Sequence, residues 1–275
     1  MPKRFCTTGT CIPEKNYMVD ISKRLDKIIQ NYIENGQYFT INRARQYGKT
    51  TTVYLLEHRL REKYLVLSLS FESADEYFQS LENLAEGLQM DIGDCLRDQN
   101  VSATLIQEWN QPFSEKFPMR SLGTKISLLC KNSLKKVILM VDEVDKSSDN
   151  QIFLSFLGLL REKYLRWQQG KDETFQSVIL AGVYDVKTLK LKIHPQEESK
   201  YNSPWNIAAD FKVDMSFSRE EIAGMLYEYE EDYQTGMDVE LLAGLIREYT
   251  SGYPFLVSRI CQLQDEEISV KKEYG

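Results

Sequence analysis

Histidine is nearly absent from this chain. Only His58 and His194 occur among 275 residues, which excludes a histidine-rich zinc site. The five cysteines (Cys6, Cys11, Cys95, Cys130 and Cys261) are odd in number and scattered. Cys6 and Cys11 lie close together, but no second Cys or His pair completes a metal-ligand set. No apolar run approaches the length needed to cross a bilayer, so no membrane partner is expected. The first residues, MPKRFCTTGTCIPEKN, hold no apolar signal core, and the expectation is a cytoplasmic protein with reduced thiols. Internal repeats, low-complexity tracts and an Asn-Lys-x-Asp guanine-reading sequence are also lacking.

What is present is an ordinary globular composition, 42% hydrophobic and 27% charged. The length suits one large α/β domain, or a core domain with a small appendage. The charge is uneven. Residues 1–63 carry 12 Lys/Arg against 6 Asp/Glu, a balance of +6, which leaves −13 for the remainder of a chain whose total is −7. The basic end suits an anionic ligand. The acidic remainder argues against direct nucleic-acid binding by this chain, since that affinity is drawn from neutralised phosphates.

Residues 19–34 place Ile21, Leu25, Ile28, Ile29 and Ile33 on one helical face, and Asn35-Gly36 ends that helix. A short strand is expected over 38–42 and a helix over 50–63. The run YLVLSLSF, 64–71, reads as a buried strand. Residues 76–134 read as helical with interruptions, one of them at Asn110-Gln111-Pro112. A strand then covers VILMVDEVD, 137–145, followed by a helix over 151–169 and a strand over SVILAGV, 177–183. An irregular loop covers 190–210, a last short strand 211–215, and acidic helices follow from Ser218. Strands alternating with helices, apolar on both faces, predict a mostly parallel sheet covered on both sides. Such sheets bind ligands at the carboxyl ends of their strands.

Two segments carry chemistry. The stretch YFTINRARQYGKTTTVYLL, 38–56, is a strand, a loop ending Gly48-Lys49-Thr50, and a helix. Amides at a helix N-terminus point outward, and the helix dipole adds positive potential there. The loop amides of Arg45, Gln46, Tyr47 and Gly48, with Lys49, Thr50 and Thr51, make a candidate phosphate cradle. Glycine at 48 lets the backbone approach a phosphate, Lys49 reaches the β- and γ-phosphates, and the Thr50 hydroxyl reaches Mg²⁺. The full pattern asks for a glycine where Arg43 stands. The rival reading is a surface helix that happens to begin GKT.

The second segment ends the strand 137–145. There Asp142 is placed to hold Mg²⁺ through its waters, and Glu143 to polarise an attacking water. The plainer alternative is an acidic turn that caps the next helix. Lys49 and Asp142 stand 93 positions apart, in the order and on the elements a nucleotide site requires. Asp145 is read as a helix cap. With no guanine-reading sequence, ATP is the expected nucleotide.

With these segments on the page, the chain resembles the bacterial AAA-ATPase-like proteins, P-loop ATPases near the AAA+ and STAND branches. The resemblance rests on residues 9–28, 38–57, 137–145, 177–190, 203–218 and 251–263. Arginines before Gly-Lys-Thr, here Arg43 and Arg45, are similar to that family's own variant of the loop. The resemblance implies a three-layer αβα P-loop fold with a mostly parallel sheet and a C-terminal helical lid. Residues 1–35 would be a lead-in and helix, 36–216 the ATPase core and 217–275 the lid. It also implies that Tyr17, Met18, Val19 and Asp20 pass the adenine, and that Tyr184 or Asp185 holds the sensor-1 position. Gly252-Tyr253-Pro254-Phe255 would form a lid element, with Arg259 behind it as either a sensor-2 group or a surface ion pair. Arg43, Arg45, Arg161 and Arg259 are the candidates for stabilising charge on a transferring phosphoryl group.

The expected activity is Mg²⁺-dependent ATP hydrolysis driving a conformational switch, which acts on a protein partner or through self-association. The alternative is a non-hydrolysing nucleotide scaffold, or the regulatory part of a nucleic-acid-processing protein. The resemblance suggests a further C-terminal domain in relatives, and the chain ends soon after a lid helix, as a truncated product would. A nucleotide-dependent small-molecule kinase fits less well, since no acceptor-site motif accompanies the Asp-Glu pair.

Overall fold

The computed structural model describes residues 3–113, 116–147, 151–183, 186 and 204–274. Its strands are Arg4–Phe5 (β1), Asn16–Tyr17 (β2), Phe39–Asn42 (β3), Leu65–Ser70 (β4), Val137–Asp142 (β5) and Ser177–Gly182 (β6). Its helices are Ser22–Ile28 (α1), Lys49–Leu60 (α2), Leu81–Asp98 (α3), Ala103–Trp109 (α4), Pro118–Asn132 (α5), Gln151–Gln168 (α6), Arg219–Tyr233 (α7), Val239–Thr250 (α8) and Pro254–Tyr274 (α9). The chain forms two compact units. One comprises Met1–Ile28, Ala44–Leu55 and Lys212–Gly275, and the other Ile29–Arg43 and Leu56–Phe211.

The second unit is built on a four-stranded sheet of order β3-β6-β5-β4, with every pairing parallel. Asn42 lies opposite Gly182, and Ser70 opposite Asp142, so all four strands end on one rim. Each of the six positions of β5 and of β6 is buried, which is why both strands read as apolar runs, with polar residues only at Asp142 and Ser177 on their ends. Large side chains fill the core around them, among them Phe71, Phe153, Phe156 and Trp205. Each such burial contributes on the order of 1.5–3 kcal/mol. The outer strand β4 is closed by a side chain. Gln99 donates to Val66 O at 2.6 Å and accepts from Val66 N at 3.1 Å, which occupies edge groups open to pairing. Trp205 donates from Nε1 to Thr40 Oγ1 at 2.8 Å, so the fully buried indole keeps its hydrogen bond. A polar cluster joins buried Lys163 to Asp172 at 2.9 Å and to Ser127 at 2.6 Å, both half-buried.

The helix expected over 19–34 changes character midway. After α1, a π-helical turn covers Ile29–Ile33, closed by Glu34 N donating to Ile29 O at 2.9 Å. Gly36, at φ 66°, then ends it. The expected strand over 211–215 does not form. The backbone pairs through one isolated bridge, Phe39 with Ala209, and 211–215 runs without a ladder. Its alternation of buried Val213 and Met215 with Lys212 and Asp214 reports burial of every second side chain. That pattern needs only extended backbone, not a partner strand.

The first unit pairs β1 with β2 in parallel, a contact the sequence pattern did not announce. Phe5, Tyr17 and Tyr229 pack as a triad with ring centroids 5.2–5.3 Å apart. Helix α7 opens with a capping box, in which Ser218 accepts from Glu221 N while the Glu221 carboxylate accepts from Ser218 N. Helix α8 ends at Ser251 and Gly252, both at positive φ, and Pro254 starts α9.

Candidate nucleotide site

Helix α2 begins where the phosphate-loop pattern requires. Thr52 N donates to Gly48 O at 2.9 Å and the Thr52 hydroxyl bonds the same oxygen at 2.8 Å, so the helix starts directly behind Gly48. An α-helix supplies no acceptor of its own for its first-turn amides, here those of Lys49, Thr50 and Thr51. Gly48 has φ 77°, and a Cβ added there would meet no protein atom within 4 Å. The backbone conformation calls for glycine, and the space beside it is left open. Gln46 holds φ 60°, a left-handed conformation that costs a side-chain-bearing residue about 1–2 kcal/mol. Lys49 is 7% exposed, with its ammonium 3.2 Å from Ala44 O, folded over its own loop. Arg45, Gln46 and Thr50 are exposed, and Tyr47, Gly48 and Thr51 half-buried.

A cavity of about 350 Å³ lies within this unit, lined by Gln46, Tyr47, Gly48, Thr51 and Thr52 of the loop and helix. Met18, Val19, Ile21 and Arg24 form a second wall, Met215, Phe217, Pro254, Phe255 and Ser258 a third, and Cys6–Gly9 with Cys11 complete it. Of the four residues expected to pass an adenine, Met18 and Val19 line the cavity. Tyr17 is buried in the aromatic triad with its hydroxyl on Asp232 at 2.5 Å, and Asp20 accepts from Ser22 N at 2.9 Å at the start of α1. Gly252–Phe255, the segment expected as a lid element, meets the loop directly. The Tyr253 hydroxyl donates to Arg45 O, and the Tyr253 and Tyr47 rings meet edge-on at 4.9 Å.

Arg24 was not singled out in the sequence. It is buried, donates to Ser216 O at 3.1 Å, pairs with Glu221 at 3.3 Å and stacks over Phe217. Burial lowers its pKa, and Glu221 opposes that shift. A cation on the apolar face of α1 was the available signal. The arginines proposed for phosphoryl charge are placed differently. Arg43 stacks on Phe211 and bonds Asn42 O, and Arg161 bonds Asn206. Arg259 lies along its own helix, 2.7 Å from Gln262 and 3.8 Å from Glu266.

In the second unit, Asp142 ends β5 on the rim shared by all four strands. It is 6% exposed, and its Oδ1 accepts from Glu143 N at 2.9 Å. Glu143 holds φ 57°, a left-handed turn that breaks the strand direction immediately after the buried aspartate. Among the described residues, the other non-glycine positions with positive φ are Asn100, Gln234 and Ser251, which sit at or just past helix C-termini. Gln46 and Glu143 have no such helix-ending role, and strain of this kind concentrates at working sites. Asp145 ties the end of β6, accepting from Val183 N at 3.0 Å. A Cβ on Gly182 would lie 2.8 Å from that carboxylate, so the contact depends on glycine. Tyr184 and Asp185 lie outside the described residues. The described residues hold no cluster of three or more His, Cys, Asp or Glu side chains suited to a metal, and no helix long and apolar enough to cross a membrane.

A parallel sheet ending on one rim, with a glycine-turned loop running from β3 into a helix, is the fold of P-loop NTPases. A profile describing an AAA-like domain matches residues 9–272, and the chain belongs to the AAA-like domain family. A Walker-type ATPase of Pyrococcus abyssi is similar in structure at TM-score 0.55 and 14% identity, over 98% of this chain and 78% of that one. The Aeropyrum pernix ORC2 protein in its ADP form is similar at TM-score 0.44 and 12% identity, over 92% of this chain and 62% of that one. No curated protein sequence matches.

Proposed function

We propose that the protein binds ATP with Mg²⁺ and hydrolyses it to drive a conformational switch. The observation that carries this reading is the loop before α2. Gly48 turns through φ 77° with open space where a Cβ would stand, beside buried Lys49 and a cavity of about 350 Å³. The backbone amides from Arg45 to Thr51 cradle phosphate oxygens, and the Lys49 ammonium places its charge on the β- and γ-phosphates. The apolar walls at Met18, Val19 and Phe255 take the base, at a size suited to small-molecule recognition. Thr50 and Asp142 present a hydroxyl and a carboxylate, hard oxygen donors that fit Mg²⁺. When bound, that ion neutralises charge on the phosphates. Glu143 accepts a proton from the attacking water as general base. Tyr253, bonded to the loop at Arg45, lets the lid respond to phosphate occupancy.

The test is Mg²⁺-ATPase activity and ATP binding in the wild type beside Lys49→Ala and Glu143→Gln. Lys49→Ala should lose binding. Glu143→Gln should keep ATP bound while turnover falls by about 10²–10⁴, the usual contribution of a positioned base. Unchanged slow turnover in Glu143→Gln would favour a nucleotide-holding scaffold instead.

A further inference from the structure

The segment Cys6-Thr7-Thr8-Gly9-Thr10-Cys11 brings two thiols together on the wall of this cavity. Its ends are pinned. Cys6 follows β1 directly, and the ladder partner of β1 is β2, with Arg4 opposite Asn16 and Phe5 opposite Tyr17. Gly9, at φ 72°, turns the chain back, and a side chain there would meet nothing within 4 Å. The Cys6 thiol lies 3.2 Å from Thr8 O, and the Cys6 and Cys11 side chains are within hydrogen-bonding reach of each other. Cys11 N donates to Thr51 Oγ1 at 3.1 Å, which ties this strap to the first turn of α2. Both thiols are half-buried and open onto the cavity.

We infer that Cys6 and Cys11 form a thiol–disulfide exchange site for a low-molecular-weight disulfide, and that its oxidation state sets the affinity of the adjacent cavity for nucleotide. The second clause rests on the nucleotide reading above, whereas the first does not.

The chemistry balances in two exchanges. The Cys6 thiolate attacks one sulfur of the small disulfide, forms a mixed disulfide and releases one small thiolate. The Cys11 sulfur then attacks Cys6 Sγ and displaces the second small thiol, which takes the Cys11 proton. Two protein thiols are oxidised and one small disulfide is reduced to two thiols. The order follows from the environments. The Cys11 pKa is pushed up to about 12, by burial first and then by the hydrogen bond and charge of Cys6, against a lowering bond from Thr51. Cys6 therefore reacts first. Once it is a neutral mixed disulfide, its own charge no longer opposes ionisation of Cys11.

A closed disulfide holds its sulfurs about 2.05 Å apart. Its closure fixes the strap that lines the cavity and that Cys11 N ties to Thr51 Oγ1. Nucleotide and disulfide then compete for the same wall. The oxidised protein should bind ATP about tenfold more weakly, and by linkage saturating ATP should shift the exchange equilibrium toward the dithiol by the same factor.

The test equilibrates native protein against glutathione buffers of graded redox ratio, with and without ATP, and maps the products by alkylation and peptide mass. The expected result is a Cys6–Cys11 disulfide, with Cys6→Ser and Cys11→Ser each failing to form it. Cys11→Ser should instead retain a glutathionyl group on Cys6. Both thiols remaining free to alkylate in oxidised buffer would overturn the site, whatever the protein does with ATP. A disulfide that forms while ATP affinity stays equal in both states would overturn the coupling. Reduced protein that binds no ATP would remove the nucleotide reading and leave the exchange site standing.

Discussion

Gly252 is the position at which one methyl group should do most damage to the first unit. It holds φ 72°, and a Cβ built there would lie 2.1 Å from Phe217 O and 2.8 Å from Phe217 N. Those atoms are backbone, so no rotamer change relieves the overlap. Phe217 N also donates to Gly252 O at 2.8 Å, so the two segments cannot part without losing that bond. Gly252→Ala should therefore cost about 1–2 kcal/mol for left-handed backbone and a further 1–3 kcal/mol for overpacking. Gly236 supplies the control. It has φ 77° with nothing within 4 Å of its Cβ position, so Gly236→Ala should cost the backbone part alone. At about 2–4 °C per kcal/mol, Gly252→Ala should melt well below Gly236→Ala in a thermal scan. Because Phe217 lines the cavity, Gly252→Ala should also weaken ATP binding, which Gly236→Ala should spare. Equal melting shifts in the two variants would refute the steric argument.

Two further outcomes are expected. Gly48→Ala should lose only about 1–2 kcal/mol of stability, since its Cβ meets no protein atom, yet lower ATP affinity at least tenfold by occupying phosphate space; a fluorescent-nucleotide titration beside a melt checks both, and intact binding would count against the cradle. Burial alone would raise the Asp172 pKa, but hydrogen bonds from Ser127 and Lys163 with the Lys163 charge hold it below its ordinary 3.8. A depressed carboxylate contributes stability above that ordinary value and loses it as pH falls through the folded value, so Lys163→Met should flatten the acid limb of melting temperature against pH, and an unchanged limb would remove Asp172 from the account.

The sheet was legible because burial on both faces confines polar residues to the strand ends, here Asp142 at the end of β5 and Ser177 at the start of β6. The cradle was legible for a related reason: Gly48, Lys49 and Thr50 are residue types whose chemistry depends on local backbone. What could not be read was pairing between distant short segments. Two residues of β1 against two of β2 offer no periodicity to detect. The alternation at 211–215 pointed to a ladder where the structure has a single bridge. The Arg24–Glu221 pair, the Tyr253 contact with Arg45 O and the Cys11 contact with Thr51 each join residues between 40 and 208 positions apart. Local propensity carries no information about such meetings.

The cavity has walls from Met1–Ile28, Ala44–Leu55 and Lys212–Gly275, three stretches with β3 encoded between the first and the second and the other three strands of the sheet between the second and the third. On a ribosome, the loop that starts α2 emerges long before Met215, Phe217 or Phe255. The strands of the sheet can pair while the chamber still lacks its last wall, and closing it means joining ends across a long interval of chain. Competence to hold a ligand there thus waits on the emergence of Met215, Phe217 and Phe255, well after the loop that starts α2.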